Sequence, residues 1–201
     1  MKVVTEAKTK DEALKKALDE LKVEESEIFY TYEETKGKLF KAGSCKLTAY
    51  TKEDVMEIMK DFIKELCANL GIEVSFETNI REKQFNIKMF SDNNAILIGK
   101  GGRTMKAIET ITKQKVQNEI GVRVKLFLDV ENYNDKRIKQ LERLAIYTAK
   151  EVRSSNVEVA LDNMNSYERR IIHNKLTNFK GVTTESTGEE PNRHIVIKPA
   201  E

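Results

Sequence analysis

The run Ile96-Leu97-Ile98-Gly99-Lys100-Gly101-Gly102-Arg103 constrains this chain more than any other. Three glycines in four positions interrupt a helix and admit backbone conformations closed to other residues. Apolar residues at helical spacing flank the run on both sides, so it reads as a tight turn between two helices. The first amides of the second helix have no internal partners, and the helix dipole is positive there. With Lys100 and Arg103 adding charge, the turn is a candidate phosphate site.

The rest of the chain limits which phosphate. Its 201 residues allow one or two domains. The formal charge is only +2, so any nucleic-acid footprint must be local. From Leu97 to Lys125 there are seven basic residues against two acidic ones, whereas the segment before Ile58 is slightly acidic. Cys45 and Cys67 fit no metal spacing and read as reduced thiols. The start, Met1-Lys2-Val3-Val4-Thr5-Glu6, lacks the apolar run of a secretion signal, and no stretch approaches a membrane span. A cytoplasmic protein is expected, without cofactor or metal.

Three segments follow from periodicity. In residues 1–50, Thr9 and Glu12 read as a capping box, and Ala13, Leu14, Ala17, Leu18 and Leu21 keep helical spacing. Ile28, Tyr30 and Tyr32 alternate as a strand, Lys36-Gly37-Lys38 reads as a turn, and a strand runs from Cys45 to Tyr50. In residues 51–131, Thr51 and Asp54 start a helix whose stripe is Val55, Ile58, Met59, Phe62, Ile63, Leu66 and Leu70. Ile72, Val74 and Phe76 alternate, as do Phe85, Ile87 and Met89, giving a hairpin that turns near Asn79 to Glu82. Asp92 or Asn93 caps a short helix. A longer one runs from Arg103 to about Ile120, with Met105, Ile108, Ile111 and Val116 inward, and a strand follows from Val122 to Leu128.

In residues 132–201, Ile138, Leu141, Ala145, Thr148 and Val152 mark a helix of about five turns. A strand over Val157, Val159 and Leu161 comes next, then a helix capped by Asn165 and Glu168 and reaching Phe179. Two strands close the chain, turning at Gly188-Glu189-Glu190-Pro191. The fold class expected is α+β in three small modules: β-α-β-β over 1–50, α-β-β-α-α-β over 51–131, and α-β-α-β-β over 132–201.

Other phosphate sites fit the glycine run worse. A Walker loop needs Gly-x-x-x-x-Gly-Lys-Ser/Thr, and here Lys100 precedes the second glycine. A dinucleotide fingerprint would need glycine where Thr104 stands. The order of elements around Gly99-Lys100-Gly101-Gly102 resembles instead a KH domain with an extra N-terminal helix, a module that clamps about four nucleotides through such a loop. The resemblance implies that Gly101 and Gly102 admit a strand backbone while Lys100 and Arg103 pair with phosphates. Ile96, Leu97 and Ile98 are the candidates for an apolar base groove. Lys106, Lys113, Lys115, Arg123 and Lys125 would extend the basic field.

A second constellation lies in Tyr167-Glu168-Arg169-Arg170-Ile171-Ile172-His173. Arg169 and His173 are four apart and share a helix face, where an arginine and an imidazole can hold a phosphate. Arg-x-x-x-His, followed by Ser186-Thr187-Gly188-Glu189-Glu190-Pro191, resembles the R-three-H domain, which binds single-stranded nucleic acid. Its binding set here is Arg169, His173, Arg170, Lys175 and Arg193.

The order of the three modules resembles the Jag family of bacterial proteins over essentially the whole chain. That resemblance implies an RNA-binding regulator, not an enzyme, linked to cell elongation and division. Its implied partners are single-stranded RNA, or single-stranded DNA, a small KH-domain protein and a membrane-protein insertase; a homo-oligomer is left open. Two departures stand out: Tyr133-Asn134 where the family often has Tyr-Arg, and Leu161-Asp162-Asn163-Met164-Asn165 where a proline-rich run is common. The spacer before the KH segment, often long in the family, is nearly absent, so the first module is expected against it. The rival readings are an enzyme, for which no nucleophile motif or paired histidines exist, and a docking adaptor using Lys36, Lys38, Lys41 and Lys46.

Overall fold

The computed structural model describes residues 2–35 and 43–200. The Lys36-Gly37-Lys38 turn, and Lys41 with it, lie outside the described residues. The chain forms two compact units, Met1–Glu131 and Asn132–Glu201.

The first unit opens with β1 (Val3–Ala7), α1 (Lys10–Leu21), β2 (Ile28–Thr35) and β3 (Ser44–Thr51). The strands form an antiparallel sheet in the order β1-β3-β2. Thr9 caps α1 by accepting the Glu12 N–H at 3.3 Å. Alternation puts Val3, Cys45, Leu47, Ala49 and Ile28 under the helix, where Ala13 and Ala17 are fully buried. Two alanines let α1 approach closely, and the buried Thr5 hydroxyl donates to Ala13 O at 2.7 Å across the gap.

Thr51 ends β3 and also caps α2 (Lys52–Asn69) through a full capping box with Asp54. Sharing one residue between strand and helix removes any linker. Next come β4 (Ser75–Arg81), β5 (Gln84–Phe90), α3 (Asn94–Ile98), α4 (Arg103–Ile120) and β6 (Lys125–Val130). The sheet order is β4-β5-β6, with β4 antiparallel and β6 parallel to β5. A parallel neighbour requires a crossover, and α3, the glycine turn and α4 supply it. Phe85, Ile87 and Met89 of β5 are buried with Val55, Met59, Ile63 and Cys67 of α2 and Met105, Ile108 and Val116 of α4.

The first module packs against this one. The rings of Phe29 and Phe85 lie 5.7 Å apart, Lys52 Nζ is 2.9 Å from Glu27 Oε1, and a Cβ on Gly121 would stand 2.7 Å from Thr31 Cγ2.

Several expectations for this unit shift: Leu70 of the expected α2 stripe is 57% exposed, and β6 begins at Lys125 and not at Val122. The hairpin turns at Glu82 and Lys83, with Glu82 at φ +55°, at the far end of the expected Asn79 to Glu82, and β4 continues through Asn79 to Arg81. β4 is an edge strand whose Glu77, Thr78 and Asn79 are all exposed, and such a strand has the polarity of a turn. Ile111 is 42% exposed, and Thr112 takes the inward place. The steps from 108 to 112 to 116 keep the buried face that 111 leaves by about 100°.

The second unit holds α5 (Tyr133–Ser155), β7 (Val159–Ala160), α6 (Ser166–Leu176), β8 (Val182–Thr187) and β9 (His194–Pro199). Its antiparallel sheet runs β7-β9-β8. The core joins Leu141, Ala145, Ala149 and Val152 of α5 to Ile172 and Leu176 of α6 and to Val182, Ile195 and Ile197 of the sheet. Asn165 and Glu168 form a second capping box. The Glu168 carboxylate also accepts from Arg137 Nε at 2.7 Å, tying α6 to α5. α5 is longer than expected, β7 is shorter, and α6 stops before Phe179, whose N–H donates to Leu176 O in a closing turn.

Phe85→Ala should lower the stability of the first unit by about 3–5 kcal/mol, because it empties a fully buried site at the junction of two modules. Ile111→Ala should change it by no more than about 0.5 kcal/mol. Urea unfolding followed by circular dichroism measures both, and equal effects would contradict the burial pattern.

Candidate nucleic-acid interface

The turn between α3 and α4 is built from conformations that only glycine adopts freely. Gly99 has φ +69° and ψ 179°, and Gly101 has φ +61° and ψ 30°. A Cβ on Gly99 would collide with the side chain of Thr104, whereas a Cβ on Gly101 would meet open space. The two glycines therefore serve different ends. Gly99 lets the chain pass close over Thr104, and Gly101 presents bare backbone to solvent. Gly102 is buried; its N–H donates to Gly99 O at 3.2 Å, and the Arg103 N–H donates to Lys100 O.

α4 begins at Gly102 with no side-chain cap, unlike α1, α2 and α6. Its positive end therefore opens under an exposed glycine turn. Lys100 and Arg103 are exposed there and form no ion pair among the described residues. Of the three apolar residues on α3, Leu97 is core, Ile98 is half-buried, and Ile96 is 57% exposed beside the turn.

The wider basic field is smaller than the count of cations suggests. Lys106 and Lys113 both bind the buried carboxylate of Glu109, at 2.6 and 2.5 Å, and Lys115 pairs with Glu119 at 3.2 Å. Lys106 thus differs from the expectation of a free phosphate ligand. Burial pushes the Glu109 carboxyl up, but the two ammonium groups outweigh it through hydrogen bonds and charge, and its pKa falls below the ordinary 4.5. Its second oxygen accepts the Leu128 N–H at 3.4 Å, joining α4 to β6.

In the second unit the expected pair separates. Arg169 is buried, and its Nη1 donates to Met164 O at 2.7 Å and to Glu190 Oε1 at 3.0 Å. The guanidinium thus holds the β8–β9 loop against the start of α6. His173 is exposed, with Nδ1 2.7 Å from Thr184 Oγ1 on β8. Arg193 Nε donates to Ser186 Oγ at 3.1 Å. Thr184 and Ser186 are two positions apart on one strand, so their side chains share a face roughly 7 Å apart. His173 and Arg193 are therefore brought together along the β8 edge.

Arg170 is exposed on the same side of α6, about 60° round from His173. Lys175 is not brought to this place. It lies about 160° round the helix and pairs with Glu142 of α5 at 3.4 Å. Sequence reasoning passed over Thr184, Ser186 and Glu190 as site residues, although all three stand in or beside the stretch that carries the R-three-H resemblance. No group of three or more metal-ligating side chains, and no helix long and apolar enough to cross a membrane, occurs among the described residues.

Comparison with known proteins finds two modules. Residues 139–199 match the R-three-H domain, and residues 53–127 match the KH domain of KhpA/KhpB. The chain is 36% identical over 200 residues to RNA-binding protein KhpB of Clostridium symbiosum, covering 97% of this chain and 90% of that one. It is 30% identical over 193 residues to the protein of the same name in Bacillus subtilis strain 168, covering 93% of each. A namesake in Lactiplantibacillus plantarum is 31% identical over 145 residues, which is 45% of its length.

Two measurements test the geometry. Gly99→Ala should cost about 1–3 kcal/mol, since its φ and ψ fall in a region essentially reserved for glycine, while Gly101→Asp should cost roughly 1 kcal/mol or less, because aspartate tolerates the left-handed conformation. Thermal melts compare the two, and a Gly101→Asp loss as large as that of Gly99→Ala would refute the open position. Glu109→Gln should lower stability by about 1–3 kcal/mol at neutral pH. Because the folded carboxylate has the lower pKa, its stabilisation is complete above 4.5 and is lost as pH falls through the folded value. The gap between wild type and variant should therefore close on acidification below 4.5, and a gap that widens there would contradict the sign.

Proposed function

This chain belongs to the Jag family, the RNA-binding proteins named KhpB, and from that membership we propose that it binds single-stranded RNA at two places. The first is the glycine turn of the KH module, and the second is the β8 edge of the R-three-H module. The observation that carries the reading is the uncapped start of α4 beneath an open Gly101, flanked by two cations without ion-pair partners among the described residues.

A phosphate fits there for three reasons. The missing Cβ at Gly101 lets the sugar-phosphate backbone touch the peptide directly. The dipole of α4 adds partial positive charge at the start of the helix, although Arg103 N–H itself is taken by Lys100 O. Lys100 and Arg103 add charge from either end of the turn. Ile96, exposed next to it, offers an apolar surface to one base. At the β8 edge, Thr184 orients the His173 ring through Nδ1, leaving the other ring nitrogen for a phosphate oxygen. Arg193, steadied by Ser186, is the second ligand, and Arg170 the third. Arg169 acts here as a positioning residue that fixes the loop carrying Glu190.

These contacts read backbone and little base identity, so the protein acts by occupancy, with no chemical step. We extend the reading to a cytoplasmic regulator of cell elongation and division, the role that the family resemblance implies.

Gly101→Asp should reduce affinity for an oligouridylate at least tenfold, by placing a carboxylate against the phosphate path, with the thermal melt nearly unchanged. Arg170→Ala with Arg193→Ala should lower the salt slope of binding by about 1.4, or about 0.7 for each phosphate left without its cation. Filter binding across a salt series reads both, with single-stranded DNA as competitor. Unaltered affinity in the first variant removes the KH site, and an unaltered slope in the second removes the β8 edge.

A further inference from the structure

The outer face of α5 carries a large aromatic ring that folding does not use. Tyr147 is 71% exposed, and Leu144 beside it is 42% exposed. The buried stripe of this helix is Leu141, Ala145, Thr148, Ala149 and Val152, which meets α6 and the sheet. At about 100° per residue, Tyr147 points roughly opposite that stripe. Lys139, Arg143 and Lys150 fall within about 80° of it on the same face. All three are exposed, and none forms an ion pair among the described residues. Glu142, the carboxylate nearest the α6 side, is already paired with Lys175. Glu151 is the one acidic neighbour on the exposed flank, so the face keeps a net positive charge.

An exposed ring beside unpaired cations matches one class of ligand better than others. An apolar partner would want the ring but not three desolvated cations, and a structural ion pair would want the cations but not the ring. Single-stranded nucleic acid wants both: bases stack on aromatic faces whatever their identity, and phosphates pair with Lys and Arg. The span from Lys139 to Lys150 is about 16 Å along the helix axis, long enough for a strand to lie along it.

We propose that the outer face of α5 is a further binding surface for single-stranded RNA, in which a base stacks on Tyr147 while Lys139, Arg143 and Lys150 hold the flanking phosphates. This rests on the RNA-binding reading above and adds a place that reading does not include. The surface is distinct from the β8 edge, since α5 faces the sheet with its opposite side.

The test uses the full chain and a fluorescein-labelled oligouridylate. Tyr147→Ala should weaken binding about five- to a hundredfold, the range measured for loss of one stacked base, and Tyr147→Phe should restore it, because the ring face survives without the hydroxyl. Arg143→Gln with Lys150→Gln should lower the salt slope by about 1.4. All these side chains are on the surface, so thermal melts should not move. Gly101→Asp is measured alongside. If it weakens binding while the α5 variants leave affinity and slope unchanged, the α5 surface is overturned and the KH reading stands. If the wild-type chain does not bind the probe, both are overturned. If the α5 variants lose binding to vesicles of anionic phospholipid but keep full RNA affinity, the face serves a membrane and the proposal is overturned.

Discussion

Everything that the KH module offers a ligand depends on how the chain crosses from α3 to α4. Because β6 lies parallel to β5, the chain must climb over the sheet and return, and α3, the glycine turn and α4 make that connection. Gly99 makes the turn possible by passing over Thr104 with no Cβ to block it. Once the chain has turned there, Gly101 is exposed and the start of α4 is uncapped. The ligand-facing geometry is thus a consequence of a packing constraint two residues before it. A side chain at Gly99 would press on Thr104, whereas one at Gly101 would meet open space.

Charge in this protein is allotted more narrowly than its 35 basic residues suggest. Lys106 and Lys113 neutralise one buried carboxylate that joins α4 to β6. Arg137 completes the Glu168 cap, and Arg169 anchors the β8–β9 loop. These cations hold elements together, and in each pairing one member is buried, so its charge would be costly to leave without a partner. The cations at the turn and along the outer face of α5 have no such duty. Free and committed cations are interleaved in sequence, which is why the basic run from Leu97 to Lys125 overstates the field.

Much of the architecture was legible because its signals are local. Thr51 with Asp54, and Asn165 with Glu168, announce helix starts by a side chain reaching three residues along. Gly121 closes α4 in the left-handed conformation that glycine favours. The hairpin turn lies at the far end of its expected range because β4 is an edge strand with polar residues on both faces. Ile111 was assigned inward by its apolarity when the helical period assigns Thr112. The displacement of Lys175 from His173 was open to the same arithmetic, since two residues of helix turn through about 200°.

The sequence alone determined the order of elements, the caps, and a turn that must hold positive φ between α3 and α4, because each depends on residues within a few positions of one another. It also put Arg169 and His173 on one helix face. Tertiary structure decided which of that pair meets solvent. Glu190 stands 21 residues from Arg169, and Thr184 stands 11 from His173. Only packing of the β8–β9 hairpin against α6 brings a carboxylate to one and a hydroxyl to the other. Local spacing fixes where a side chain points; the partner that awaits it is set by chain arriving from elsewhere.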